Sequence, residues 1–317
     1  MPEYRAIRAK QTMLEAIADP ATAAEITLQP VDQLGVDAAI IFSDILPPLI
    51  GMGLDLDFVA GSGPRISNPV RTARDVDRLG TPPAIETMGG TLGAISLVKQ
   101  ELSSRGVPVI GFAGAPFTLA CYAIEGGGSQ RYETAKRFMY AEPAAWNRLM
   151  SRMVTVIADY LAEQVRAGAD VLQVFDSWAG ALGPDDYARY VAPYNTRLFA
   201  ALVSSGVPVI NFSTGTGAYV AHVARCGGDV IGIDWRTPLD SVRLTHGDEM
   251  AVMGNLDPIA LLAPWTELRA HADAVISRAG PAPGHVFNLG HGIIPSTPVD
   301  NVRRLVDYVK TASKSDG

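Results

Sequence analysis

The sequence predicts an α/β fold of the (β/α)8 TIM barrel type, and three observations lead there. Short, continuously apolar runs recur along the chain, and each ends in a polar or glycine-rich tip. A strand buried on both faces reads as such a run, because neither side of it meets water. Helical stretches separate the runs, as parallel strands require. The polar tips all follow strand ends, where barrels and doubly wound sheets build their sites. A length of 317 residues favours one large barrel over two domains, so residues 1–317 read as a single domain.

The first run, Ala38-Ala39-Ile40-Ile41-Phe42, ends in Ser43-Asp44-Ile45. The next tips are Gly111 to Thr118 after Pro108-Val109-Ile110, and Asp176-Ser177 after Val171-Leu172-Gln173-Val174-Phe175. Asn211 to Gly217 follows Pro208-Val209-Ile210, and Asp234, Gly254-Asn255 and Asn288 to Gly292 continue the series. Between them, Pro143 to Gly168 reads as a long helix: Trp146, Leu149, Met150, Met153, Val154, Ile157, Leu161 and Val165 keep the three-and-four spacing of one face. The last helix is expected to start with Thr297 at the cap, Pro298 at the first helical position and Asp300 in the first turn. Val299, Val302, Leu305, Val306 and Val309 give it a buried stripe.

Composition agrees with an ordinary globular chain, 48% apolar and 19% charged. The net charge of −7 argues against a nucleic-acid partner. Cys121 and Cys226 lie far apart and make no metal-type pair, so a reduced, cytoplasmic setting is expected. No apolar run reaches membrane-spanning length, and MPEYRAIRAK lacks the apolar core of a signal peptide. The only low-complexity stretch is the short polar end Ser313 to Gly317.

Four motifs carry a resemblance. Phe42-Ser43-Asp44-Ile45-Leu46 is the first; Gly114-Ala115-Pro116-Phe117-Thr118-Leu119, running into Tyr122 and Glu125-Gly126-Gly127-Gly128-Ser129, is the second. Phe175-Asp176-Ser177-Trp178-Ala179-Gly180 and Asn288-Leu289-Gly290-His291-Gly292 complete the set. In order and spacing, from Pro2 nearly to the C-terminus, the chain resembles the uroporphyrinogen decarboxylase family. The resemblance implies a homodimeric barrel with no metal and no organic cofactor. It also implies the reaction: loss of carbon dioxide from the four acetate arms of uroporphyrinogen III, giving coproporphyrinogen III for haem and related tetrapyrroles.

Such chemistry needs an electron sink, which most decarboxylases borrow from a cofactor. Here the substrate supplies it, because protonating a pyrrole ring carbon makes an iminium-like ring that accepts the electrons. Asp44 fits beneath that ring, since a carboxylate offers about four lone-pair sites to pyrrole N–H groups and gains worth as the ring becomes cationic. Read without the resemblance, Asp44 serves equally as a helix cap or loop carboxylate, and Tyr122 as a core tyrosine. The resemblance assigns Tyr122 to the substrate site as a phenolic donor. It gives Ser177 and His291 to the propionate carboxylates, with His291 flanked by glycines that allow close backbone approach. Asp176 is expected to hold a loop or cap a helix rather than touch a polyanionic substrate.

Gly126-Gly127-Gly128 reads as a flexible lid or turn, and Ser213-Thr214-Gly215-Thr216-Gly217 could present backbone N–H groups to an anion. Neither is a nucleotide fingerprint. The alternative within the fold is a zinc-dependent corrinoid or thiol methyltransferase, which would use a closely spaced His and Cys; the chain has no His-x-Cys, and His222 with Cys226 is spaced like one helix face. A further alternative is an inactive porphyrinogen-binding barrel. The family pattern places a strand and a loop of the form Met-Arg-Gln-Ala-Gly-Arg-Tyr ahead of the segment matching Pro2-Glu3-Tyr4-Arg5. The expectation for the chain as written is therefore strands two to eight of a barrel that keeps Asp44, Tyr122, Ser177 and His291, with two unpaired edges, lower stability and almost no activity.

Overall fold

The computed structural model describes residues 1–59, 61–246, 250–282 and 284–312. The polar end at Ser313 to Gly317 lies outside them. Seven parallel strands form the main sheet: β1 (Ala39–Ile40), β4 (Val109–Gly114), β5 (Val171–Asp176), β6 (Val209–Ser213), β7 (Val230–Ile233), β8 (Ala251–Leu256) and β9 (His285–Leu289), in that spatial order. Between the first two, β2 (Leu56–Val59) and β3 (Gly63–Ile66) make an antiparallel hairpin. Sequential parallel strands joined by helices curl the sheet into a barrel wall, as the apolar runs predict.

Alternation along each strand divides the side chains between lumen and helix layer. Val171, Phe175, Ile210, Phe212, Val230 and Met253 meet inside the curve. Leu172 and Val174 turn outward and join the large core shared with the helices. A row of aromatic rings crosses the lumen from β4 to β6: Phe112 sits edge-on to Phe175 at 5.4 Å, and Phe175 to Phe212 at 5.5 Å. The long helix spans Pro143–Ala167 and ends at Gly168 in the left-handed region, burying the predicted face from Trp146 to Leu161. Gly168 ends it because only a residue without Cβ takes φ near +117° at little cost.

Three expectations need correction. The tips are shorter than the sequence suggests, because Gly111 to Gly114 continue β4 and Asn211 to Ser213 continue β6. The last helix runs Val299–Ala312, and Thr297 does not cap it: its hydroxyl has no hydrogen-bond partner among the described residues. The hairpin was unforeseen, and it clamps the glycine-rich stretch expected to be a lid. Ile66 N–H donates to Gly126 O at 2.8 Å, Arg65 bridges Gly127, and Val70 N–H donates to Ala123 O at 2.8 Å.

Among the described residues β1 and β9 pair on one side only. The helical layer nevertheless closes between them. Arg303 Nε donates to Gln33 O at 2.7 Å, and Lys310 Nζ donates to Gly35 O at 2.5 Å while pairing with Asp37 at 2.9 Å. Nearby, Arg5 Nη2 donates to Pro295 O at 3.1 Å and Tyr4 lies edge-on to Phe42 at 5.9 Å. From an exposed position on the first helix, Arg5 thus reaches the loop after β9.

Candidate active site

Parallel strands put all their C-terminal ends on one rim, and every residue singled out from the sequence stands on that rim. Asp44 lies four residues beyond the end of β1, half-buried. Its Oδ1 accepts the N–H of Leu46 at 2.9 Å, an Asx turn that launches the short helix Pro47–Gly51. The loop-carboxylate reading is therefore partly realised, yet the turn leaves some of the carboxylate's acceptor sites unused. Burial raises Asp44 above the usual carboxylate range, with the Leu46 and Ile45 N–H groups opposing.

Tyr122 stands on the helix Pro116–Glu125 that follows β4, with Pro116 at its first position. Burial and the neighbouring Asp44 carboxylate push the phenol up to about 12. It stays protonated at neutral pH and remains a donor. Its ring stacks on Trp178, with centroids 3.8 Å apart, and Tyr132 lies edge-on to Trp178 at 4.8 Å. Tyr132 is the only described non-glycine residue at positive φ, +53°, at the start of the helix Glu133–Ala141. A bulky residue costs energy there, so the surrounding packing holds it.

Ser177 follows β5 directly, half-buried, and its carbonyl accepts the Thr214 hydroxyl at 2.5 Å. Gly180 N–H donates to Thr214 O at 3.0 Å, so the tips of β5 and β6 are laced together. Asp176, 2% exposed, turns outward to the helices, where Thr118 Oγ1 donates to Oδ1 at 2.9 Å and Asn195 Nδ2 donates to Oδ2 at 3.1 Å. It holds a loop, as expected, and does not reach the lumen.

The stretch Ser213 to Gly217 meets its anion inside the protein. Gly215 N–H donates to Asp234 Oδ2 at 2.6 Å, and Ser213 bonds Thr216 through their hydroxyls at 2.6 Å. Asp234, 1% exposed, also accepts Arg236 N–H at 2.9 Å and pairs with the Arg236 guanidinium at 3.4 Å. An internal carboxylate thus fills the place that the sequence offers to a ligand.

His291 is exposed, on the loop after β9. Its Nδ1 accepts the Gly292 N–H at 2.8 Å, so in the neutral ring Nε2 carries the proton and is the donor. The ring sits edge-on to Trp235 at 6.5 Å, and Trp235 is in turn covered by the Arg236 guanidinium at 4.6 Å. Gly290 permits this approach, since a Cβ there would lie 2.4 Å from Trp235 N.

The structure therefore joins Asp44, Tyr122 and Ser177 through Trp178, while His291 has a different set of neighbours on the same rim. Sequence reasoning missed Trp178, Tyr132 and Trp235 as site residues. Trp178 and Trp235 each adjoin a singled-out residue or tip, Ser177 and Asp234, and that adjacency was the available signal. The Cys226 thiol donates to His222 O at 3.3 Å within one helical turn.

The chain is similar to known proteins at two levels. In fold, the chain is similar to a methyltransferase from Methanosarcina mazei, with TM-score 0.82 over 95% of this chain and 88% of that one, at 18% identity. In sequence, it is 52% identical over 315 residues to the uroporphyrinogen decarboxylase of Chloroflexus aurantiacus, covering 98% of this chain and 88% of the relative. The counterpart from Roseiflexus sp. is 52% identical over 314 residues, covering 98% and 90%. The family model for uroporphyrinogen decarboxylase (URO-D) matches residues 1–312. A rim on which these carboxylate, phenol and imidazole positions fall where the four motifs place them, on a chain matched almost end to end, belongs to the uroporphyrinogen decarboxylase family.

Proposed function

We propose that the chain decarboxylates the four acetate arms of uroporphyrinogen III to give coproporphyrinogen III without a cofactor, using one barrel domain over residues 1–317. The observation that carries this is the half-buried Asp44 carboxylate set beside the protonated Tyr122 phenol at the mouth of an apolar lumen. A tetrapyrrole is a broad apolar ring with a polar centre and an anionic fringe, and in this reading each part has its own residues. Phe112, Phe175 and Phe212 face the ring, Asp44 its pyrrole N–H groups, and Tyr122, Ser177 and His291 the carboxylates.

The chemistry follows from the environment. Protonation of a pyrrole ring carbon makes a cation; electrons from the breaking bond to the carboxylate flow into it as carbon dioxide leaves. A proton then returns to the exocyclic carbon, leaving a methyl group and a neutral ring. Asp44 stabilises the cation more than the neutral ring, so its charge lowers the barrier instead of merely tightening binding. Partial burial strengthens that interaction relative to water. It also raises the carboxyl, so the ionised form is held at a cost that the cation offsets.

The working assembly in this reading is a soluble, cytoplasmic homodimer, as the motif resemblance implies, and the net charge of −7 disfavours nucleic acid. No described helix is long and apolar enough to cross a membrane. Anaerobic incubation of purified chain with uroporphyrinogen III, followed by oxidation and chromatography, tests the reading. Coproporphyrin with seven-, six- and five-carboxyl intermediates is the expected outcome, and absence of turnover by the folded chain overturns it. Sedimentation velocity tests the dimer.

A further inference from the structure

Asp176 is a buried carboxylate that the proposed chemistry does not use. It ends β5, 2% exposed, and the alternation of the strand turns Phe175 into the lumen and Asp176 away from it. Among the described residues it makes no ion pair. Thr118 and Cys121 face it from the helix Pro116–Glu125, Asn195 from the helix Ala192–Leu202, Tyr187 from the helix Pro184–Tyr190, and Tyr219 and Cys226 from beyond β6. The thiols and phenols are all raised by burial and stay neutral. Lys136 lies within electrostatic reach of Cys121, but its ammonium is bonded to Ala181 O. Burying an uncompensated carboxylate is costly, and packing alone gives no return on that cost.

Its hydrogen bonds lead to the site. A threonine hydroxyl has one proton to donate, and Thr118 gives it to Asp176 Oδ1 at 2.9 Å. The lone pairs of Oγ1 are then turned to accept Trp178 N–H at 3.2 Å. Trp178 carries the ring on which Tyr122 stacks at 3.8 Å, and Tyr122 adjoins Asp44. Asn195 Nδ2 holds the other carboxylate oxygen at 3.1 Å, so the carboxylate cannot swing away.

We propose that Asp176 and Thr118 are positioning residues: they fix Trp178, and through its ring the placement of Tyr122 beside Asp44. Ionised Asp176 can only accept, which dictates the direction of the Thr118 hydroxyl. Burial raises the Asp176 carboxyl to about 6, with Thr118 and Asn195 opposing the rise. Once protonated, the carboxyl becomes a donor and Thr118 is free to turn. The device therefore holds above that pH and loosens below it. The activity readout rests on the proposed decarboxylase reading; the spectroscopic readout does not.

The experiment compares Thr118→Val, which keeps the shape and removes the hydroxyl, with Thr118→Ser, which keeps the hydroxyl. The Val variant is expected to lose about tenfold in kcat, with KM within about twofold, since a misplaced group costs rate more than binding. It is also expected to change the near-ultraviolet circular dichroism of the stacked Tyr122 and Trp178 rings, and Ser restores both. In the wild-type chain the same signal should titrate near pH 6, and Trp178→Phe should abolish the transition. That titration stands if Thr118→Val does not fold. An unchanged spectrum and kcat in a folded Thr118→Val variant overturns the proposal, as does a wild-type signal flat between pH 5 and 8. If wild-type protein fails to turn over uroporphyrinogen, the decarboxylase reading falls while the spectra still decide the positioning claim.

Discussion

Asp44 carries a charge where folding alone would not place one, and this gives the residue opposite effects on stability and rate. Its carboxyl is raised in the folded state, so the native chain binds that proton more tightly than the unfolded chain does. The contribution to stability is full below the unfolded value and is lost as pH rises through the folded one. Asp44→Asn should therefore melt above wild type at pH 7.5, with the gap closing towards pH 4, while kcat falls roughly 10²–10³-fold. Calorimetry at both pH values together with turnover checks this; a variant that loses stability at pH 7.5 would argue for the loop role alone. Tyr122→Phe keeps the stack on Trp178 and removes the donor, so its loss should appear in turnover with little change in melting temperature. The Asp44 position was legible from the tip it occupies, and its neighbours were not. Trp178 reaches Tyr122, and Tyr132 reaches Trp178, by tertiary packing, and the left-handed backbone of Tyr132 has no counterpart in spacing or propensity.

At the level of elements, two carboxylates repeat one device. Asp170 ahead of β5 donates its N–H to Val109 O at 2.8 Å and accepts Val109 N–H on Oδ2 at 2.9 Å. Asp229 ahead of β7 does the same with Val209, at 2.8 Å in both directions. Each satisfies the first N–H of the preceding strand, β4 or β6, which would otherwise be orphaned at the sheet's lower rim. Asp229→Ala should cost about 1–3 kcal/mol, measurable by urea denaturation, because a half-buried donor loses its partner. Gly290→Ala should cost a similar amount, about 1–3 kcal/mol. Its Cβ would strike Trp235 N at 2.4 Å, and because backbone cannot yield as a flexible side chain can, the loop bearing His291 must shift. A rise in KM beyond that loss of stability would tie His291 to substrate. Strand identity was readable from the apolar runs, but strand ends were not: Gly111 to Gly114 and Asn211 to Ser213 look like loop and are buried in the wall. The hairpin of β2 and β3 lacked a buried run, since only Leu56 and Ile66 of its strands are buried, and so gave little signal.

For the whole molecule, the strand circuit and the helix circuit do not close in the same way. Among the described residues β1 and β9 have no ladder between them, whereas the first and last long helices meet through Arg303, Lys310, Gln33, Gly35 and Asp37. Ladder hydrogen bonds are insensitive to ionic strength, but exposed ion pairs are screened within about 3 Å at 1 M salt. Between these two margins the circumference is thus fastened by a latch of polar contacts of modest strength, of which the Lys310–Asp37 ion pair is the part that salt screens. Hydrogen exchange should find β5 and β6 protected to the level of global unfolding, with β1 and β9 opening at lower cost. Raising salt to about 1 M, or combining Arg303→Ala with Lys310→Ala, should hasten exchange at these two margins and leave the centre unchanged. A uniform response across the sheet would show that the wall unfolds as one piece. Asp44 and His291 sit on loops beside opposite margins, so the latch bears on their separation, the span that the macrocycle crosses in the site proposed above. Substrate spanning that gap would act as a second fastening, and its presence should slow exchange at both margins at once.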